Sequence, residues 1–152
     1  VGSLDELIRD LRRFEQRRVV TNALAKELRK PVPGVRKAIR ARARKVLPTS
    51  GGFGVWVSKL SVTARVKLQG RAAGVRLVGR RKGFPDDQPK ADLRRIDQGT
   101  ARHPSWGRRG AKDWHLQKVT PGFFSDPATE VDQWREAALR AVDEALEVIR
   151  RG

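Results

Sequence analysis

The spacing of apolar residues changes twice along this chain, and that change restricts the folds open to it. Leu4, Leu7, Ile8, Leu11 and Phe14 recur at helical intervals, and a second stripe of Val20, Ala23, Leu24, Glu27 and Leu28 carries the pattern toward Lys30. Val62, Ala64, Val66 and Leu68 then alternate with Thr63, Arg65 and Lys67. Near the end, Val131, Trp134, Ala138, Ala141, Val142, Ala145 and Ile149 return to helical spacing. A stripe repeating every 3.6 residues lines one side of a helix, whereas strict alternation lines one side of a strand. Helical patterns at both ends of a strand pair predict an α+β fold. Its expected parts are a small antiparallel sheet, a long N-terminal helical region, a basic second helix and a C-terminal helix packed on the sheet.

Local signals set the boundaries. Ser3-Leu4-Asp5-Glu6 has the capping-box pattern that satisfies free amides at a helix start. A shift of stripe near Glu15-Gln16-Arg17-Arg18 permits one long helix or a bend, and Pro31-Val32-Pro33-Gly34 stops it. Val35, Ala38, Ile39, Ala43, Val46 and Leu47 make a second face, ended by Pro48. Thr49-Ser50-Gly51-Gly52-Phe53-Gly54 reads as a hinge, and without a following Gly-Lys-Ser/Thr it is no phosphate loop. Val75, Leu77 and Gly79 against Arg76, Val78 and Arg80 give a return strand after a turn at 69–74. Residues 91–97 fit one or two helical turns ended by Gly99, and Asp126 with Pro127 opens the last helix. One domain over 1–152 is expected. It comprises an N-terminal helix over 1–30, a basic helix over 35–47, a β-hairpin over 55–80, long loops over 81–124 and a C-terminal helix over 126–151.

The chain is 152 residues long, with 34 Lys+Arg against 17 Asp+Glu, a net charge of +17. A chain of this size buries roughly two thirds of its unfolded surface, enough for a core without covalent staples. With no Cys, disulfide frameworks, thiolate zinc sites, thiol nucleophiles and iron–sulfur clusters are excluded. No apolar run reaches the roughly 18 residues that a membrane span requires. Val1-Gly2-Ser3-Leu4 followed by Asp5 and Glu6 does not read as a secretory leader, so one intracellular domain with a trimmed initiator Met is expected. Residues 1–50 carry 14 basic and 5 acidic side chains, 51–100 carry 11 and 4, and 101–152 carry 9 and 8. Within 122–152 the balance reverses to 7 acidic against 4 basic. A cationic field of this size suits a polyanion. The 24 Arg against 10 Lys also match the composition of a GC-rich genome.

The most basic segment sets Arg36, Lys37, Arg40, Arg42, Arg44 and Lys45 around its apolar stripe. It suits either a phosphate backbone or an acidic neighbour, and the acidic last helix is one such neighbour, within a chain or between subunits. Without interleaved aromatic or Asn/Gln groups it is not equipped to read bases. Arg40, Arg44, Arg65, Lys67, Arg76 and Arg80 are the candidate contacts to DNA or to an acidic neighbour. His103 and His115, with Asp97, Asp113 and Arg102 nearby, have the composition of a small nuclease site. The structural alternative, a turn at His103-Pro104 and packing of His115 beside Trp114, is favoured. No catalytic residue, metal or cofactor is assigned. Trp106, Trp114, Phe123 and Phe124 either seal a core beneath a long loop or, with Arg102 and His103, rim a subunit contact.

The order of helix, basic helix, Thr-Ser-Gly-Gly hinge and strands leads into Gly99-Thr100-Ala101-Arg102-His103-Pro104-Ser105-Trp106-Gly107, then Trp114, Gln117, Val119, Pro121-Gly122-Phe123-Phe124 and a final helix. In this arrangement the chain resembles the small tail-completion and neck proteins of siphovirus-type bacteriophages, especially those of actinobacterial hosts. The resemblance covers most of 32–152 and is sharpest from His-Pro-x-x-Gly to Pro-Gly-Phe-Phe. It implies a structural virion protein, assembled in the host cytoplasm into a homo-oligomeric ring, expected to be a hexamer, at the head–tail joint. The implied partners are adjacent head-connector and tail-tube proteins, with transient non-specific contact to duplex DNA in the lumen and none to a membrane. No catalytic residues come with it. Members carry Thr-Gly-x-Leu at the hinge, where this chain has Thr49-Ser50-Gly51-Gly52-Phe53. A basic non-specific nucleic-acid-binding protein is the alternative from composition, followed by a small nuclease.

Overall fold

A computed structural model describes residues 4–69, 71, 73–81, 92–104 and 114–151; the side chains of 4–12, 14, 103, 104 and 114 lie outside the description. The elements are helices α1 (Leu4–Arg29) and α2 (Val32–Val46), a 3-10 turn at Ser50–Gly52, helix α3 (Phe53–Ser58), strands β1 (Ser61–Lys67) and β2 (Gly74–Arg80), helix α4 (Leu93–Asp97), strands β3 (Thr100–Pro104) and β4 (Trp114–Lys118), and helices α5 (Ser125–Ala128) and α6 (Val131–Arg151). The α+β class holds, with two separate two-stranded sheets, β1–β2 and β3–β4, in place of one. Contacts divide the chain into a unit of Val1–Val32, Arg65–Arg76 and Val131–Gly152 and a unit of Pro33–Ala64 and Leu77–Glu130.

In the first unit, α6 packs on α1. The expected stripe of Val20, Ala23, Leu24 and Leu28 is half-buried along α1, and Glu27 is buried among it. On α6 the sequence expectation needs correction. The residues withdrawn from water are Ala137, Ala141 and Ala145, while Val131, Val142 and Ile149 stand exposed. Alanines four apart form a smooth strip on one side of the helix, and a short side chain permits close helix approach. Trp134 and Val148 flank that strip, half-buried.

The second unit holds the larger core. Val35, Ile39, Ala43 and Leu47 recur every four residues along α2 and are all buried, as the sequence pattern requires. Helix α2 begins at Val32, so the Pro31–Gly34 break is shorter than expected. Pro33 sits in its first turn, where the missing donor has no intrahelical acceptor to lose.

Residues 53–58 are helical, correcting the expectation that the hairpin spans 55–80. Gly51 and Gly52 take φ of +61° and +72°, turning the chain tightly after Pro48. Gly54 then presses on α2, where an added Cβ would lie 3.1 Å from the Ala43 carbonyl oxygen. Phe53, Val57 and Leu60 are thereby delivered to the core at helical spacing. The remaining core comes from Val62 of β1, Ile96 of α4, Ala101 of β3 and Phe123.

The first hairpin follows its predicted alternation, with Val62 buried, Ala64, Val66 and Leu68 half-buried, and Thr63, Arg65 and Lys67 exposed. The 81–124 stretch is not all loop. It contains α4, capped by the Asp92 carboxylate accepting from Arg95 N at 3.1 Å, and the antiparallel β3–β4 ribbon. The C-terminal helix is also two pieces, since Thr129 and Glu130 separate α5 from α6.

Candidate functional site

Helix α2 distributes its cations unevenly in use. The Arg42 Nε–H donates to Gly122 O at 2.8 Å, and its guanidinium pairs with the Asp126 carboxylate. That pair joins the basic helix to the acidic C-terminal segment, as charge alone suggested, but through the residue ahead of α6. Arg40 donates to Leu60 O at 3.2 Å and Arg44 to Ser58 Oγ at 3.0 Å. Arg81 donates to Trp56 O at 3.1 Å, with its guanidinium 5.4 Å from the centre of the Trp56 ring. Three arginines thus gather where α3 ends and satisfy oxygens there. Each pairs with no carboxylate among the described residues, so the positive charge remains at the surface. The Arg36 Nε, buried on the same helix, has no hydrogen-bond partner in the described structure.

The β1–β2 hairpin carries the other cations singled out in the sequence. Ser61 Oγ donates to Arg80 O and Thr63 Oγ1 to Val78 O, which fixes an antiparallel register. Extended toward the turn, that register sets Arg65 opposite Arg76. Like charges in facing strand positions repel, so this face gains from an anionic neighbour. Lys67 and Arg80 are exposed as well.

The residues of the aromatic segment separate. Phe123 is fully buried and closes the core of its unit, which corrects its assignment to a subunit contact. Phe124 is half-buried, edge-on to Phe123 with ring centres 6.2 Å apart. It lies so close to Gly79 that a Cβ there would come within 2.7 Å of the ring. The anchor for this pair is Asp97, a residue assigned only as a neighbour of the histidines. Its Oδ1 accepts from Phe124 N at 2.7 Å and Ser125 N at 3.1 Å, and its carbonyl accepts from Gly122 N at 2.8 Å.

His103 and His115 face each other as backbone partners across β3–β4. Asp97 is engaged with backbone amides, while Trp106 and Asp113 lie outside the described residues. Arg102 is exposed opposite Leu116, and Trp114 pairs with Pro104 in the strand register. Along β4, His115, Leu116, Gln117 and Lys118 are all exposed, whereas Ala101 near the ribbon's base is buried.

An open cleft of about 570 Å³ is lined by Val46, Leu47, Pro48, Lys118, Val119 and Pro121, among others, and holds one cation with no acid–base pair. No group of three or more His, Asp or Glu side chains with metal-binding proximity occurs among the described residues. No described helix is long and apolar enough to cross a membrane.

The surface that sequence reasoning missed is on α6. Val131, Leu139, Val142, Leu146 and Ile149 are exposed by 60, 62, 53, 45 and 60%. They occupy one arc of the helix, with Arg135 and Ala138 among them and Asp132, Glu136 and Asp143 along one border. The signal was present as a second apolar arc next to the alanine strip, but periodicity does not say which arc turns inward. Comparison with protein-family models, curated proteins and solved structures gives no match to this chain.

Proposed function

We propose that this chain is a structural subunit of a homo-oligomeric ring at the head–tail joint of a siphovirus-type phage, as a neck, tail-completion or tail-terminator protein. The observation that carries the assembly reading is the α6 face, where five large aliphatic side chains stand in water around Arg135 on a helix with a carboxylate border. Exposed apolar arcs of this extent on small proteins mark interaction surfaces. The same chain presents cationic surfaces at Arg40 and Arg44 and along Arg65, Lys67, Arg76 and Arg80. Opposite signs on one subunit suit head-to-tail contacts that close by rotation. The position in the virion rests on the resemblance of the 99–124 segment and the order of elements around it. In this reading the partners are further copies of the chain, the adjacent head-connector and tail-tube proteins, and duplex DNA passing through the lumen without sequence readout.

Native mass measurement tests it. A closed oligomer, expected to be a hexamer of the 17.1 kDa chain, supports the reading. A stable monomer that fails to self-associate even with tail-tube protein refutes it. A second reading, non-specific nucleic-acid binding, is favoured by the cations at Arg40, Arg44 and Arg81 that lack carboxylate partners among the described residues. It requires submicromolar affinity for duplex DNA with a steep loss between two salt concentrations in filter binding; weak, salt-insensitive retention disposes of it.

A further inference from the structure

We propose that the β3–β4 ribbon of one copy docks on the α6 face of a second copy. Leu116 meets the aliphatic arc around Leu139, Val142 and Leu146, and Lys118 lies against the carboxylate border at Asp143. This deepens the ring-subunit reading and rests on it, by naming the two surfaces that meet.

The ribbon is the first half of the case. A two-stranded ribbon with both faces in water is marginal by itself. The residues of β4 from His115 to Lys118 are exposed on both faces, and Leu116 is 69% exposed. Strand alternation and register put Leu116 on one face with Arg102 directly opposite and Lys118 two positions along. The ribbon therefore presents an aliphatic knob between two cations.

The α6 face is the second half. From Val131 to Ile149 the arc runs roughly 27 Å along the helix at 1.5 Å per residue. Helical geometry places Asp143 beside Leu139 and Leu146, so a knob seated between those two leucines has a carboxylate within side-chain reach. Beyond Arg135, the Leu139–Leu146 end of the arc is apolar and edged by Asp143, and it matches an apolar knob edged with base.

The chemistry selects a second copy as the occupant. The acidic border disfavours nucleic acid and anionic lipid headgroups at α6, while the ribbon's cations disfavour a basic partner there. Every copy carries one surface of each kind, so each subunit offers a ribbon and receives one. That is the heterologous geometry from which a ring closes.

The absence of Cys makes the contact directly testable. Leu116→Cys and Val142→Cys chains are prepared separately, mixed in equal amounts and oxidised, and the products are resolved under non-reducing conditions. A disulfide-linked pair of about twice the 17.1 kDa chain mass should form at least fivefold more in the mixture than in either variant alone. Adding Asp143→Lys to the Val142→Cys chain should lower that yield at least threefold. Lys118→Glu in the Leu116→Cys chain should then restore it, which a merely structural role for either residue would not do. Equal adduct in the unmixed variants indicates like-to-like contact and overturns the proposal. So does a chain carrying both cysteines that closes on itself in preference to joining a second chain. No mixed adduct from a chain that native mass shows to be oligomeric overturns this interface and leaves the ring reading intact. No adduct from a chain that remains monomeric overturns both.

Discussion

Replacing Asp97 by Ala should destabilise the second unit far more than its half-exposed position suggests. Its Oδ1 accepts from two successive backbone amides, Phe124 N at 2.7 Å and Ser125 N at 3.1 Å, at the start of α5. Those amides belong to the turn that inserts Phe123 into the core and sets Phe124 against Gly79. Loss of a helix-start acceptor costs about 1 kcal/mol, and hydrogen bonds to an ionised acceptor contribute about 1.5–3 kcal/mol each when buried. Because one oxygen serves both amides and water reaches the site, about 2–3 kcal/mol is the expected total. With a denaturant slope of roughly 2 kcal/mol per molar urea, the midpoint should fall by about 1–1.5 M. Trp56 in the same unit supplies the fluorescence readout. Asp97→Asn keeps an acceptor oxygen at the same place and should recover at least half the loss. A midpoint within 0.2 M of the parent for Asp97→Ala (roughly 0.4 kcal/mol at that slope) refutes the anchoring role. An Asn variant as unstable as Ala would show that the charge, not the acceptor, matters.

Phe123→Ala empties a fully buried site and should cost about 3–5 kcal/mol, read as a loss of the cooperative transition of that unit. Gly34→Ala and Gly52→Ala should have opposite signs although neither Cβ meets an atom within 4 Å. Gly34 lies in α2 and should gain about 0.5–1 kcal/mol, whereas Gly52 at φ +72° should lose about 1 kcal/mol; urea titration of both variants checks the pair. Glu27 is buried, with Lys30 on one oxygen and Arg140 Nε 4.0 Å from the other, which lacks a hydrogen-bond partner. Glu27→Leu should therefore be neutral or stabilising by up to about 2 kcal/mol. Arg140→Ala should cost under about 1 kcal/mol in the parent and less beside Glu27→Leu, where only the surface pair with Glu136 is lost, as a double-mutant cycle measures.

The parts of the fold legible in the sequence are those where one apolar face meets one core. Helix α2 and the first hairpin are such cases: Val35, Ile39, Ala43 and Leu47 on the helix, and Val62 on β1, are buried. From Trp56 to Leu60 the sequence alternates with a period of two, which predicts strand where the end of α3 is helical. The signal for helix was there in Phe53, Val57 and Leu60, but six residues are too few for a period to declare itself. The β3–β4 ribbon left no alternation to read, since His115 through Lys118 are exposed on both faces. The role of Asp97 was invisible because its amide partners lie 27 and 28 residues away. On α6 the expected stripe holds at Trp134, Ala141 and Ala145, which are half-buried or buried, while its large members Val131, Val142 and Ile149 lie on the neighbouring exposed arc.

That displacement of the buried strip on α6 has an energetic consequence. Three buried alanines contribute about 0.8 kcal/mol each, because each withdraws little more than one methyl group. The five aliphatic side chains on the outer arc are about half exposed, so roughly 4–7 kcal/mol of further burial remains to be realised. More stabilisation lies on the outside of this helix than along its alanine strip, and only association can recover it. The first unit should accordingly melt at a temperature that depends on protein concentration. Each tenfold dilution removes about 1.4 kcal/mol from a bimolecular contact. At roughly 4–8 °C per kcal/mol for a unit of this size, hundredfold dilution should lower its melting temperature by about 11–22 °C. Leu139→Lys with Val142→Lys should abolish that dependence while leaving the transition of the second unit in place. A melting temperature unchanged across hundredfold dilution of the parent chain, at concentrations spanning its self-association, would mean that the outer arc of α6 stays in water and that its aliphatic residues serve no contact between copies.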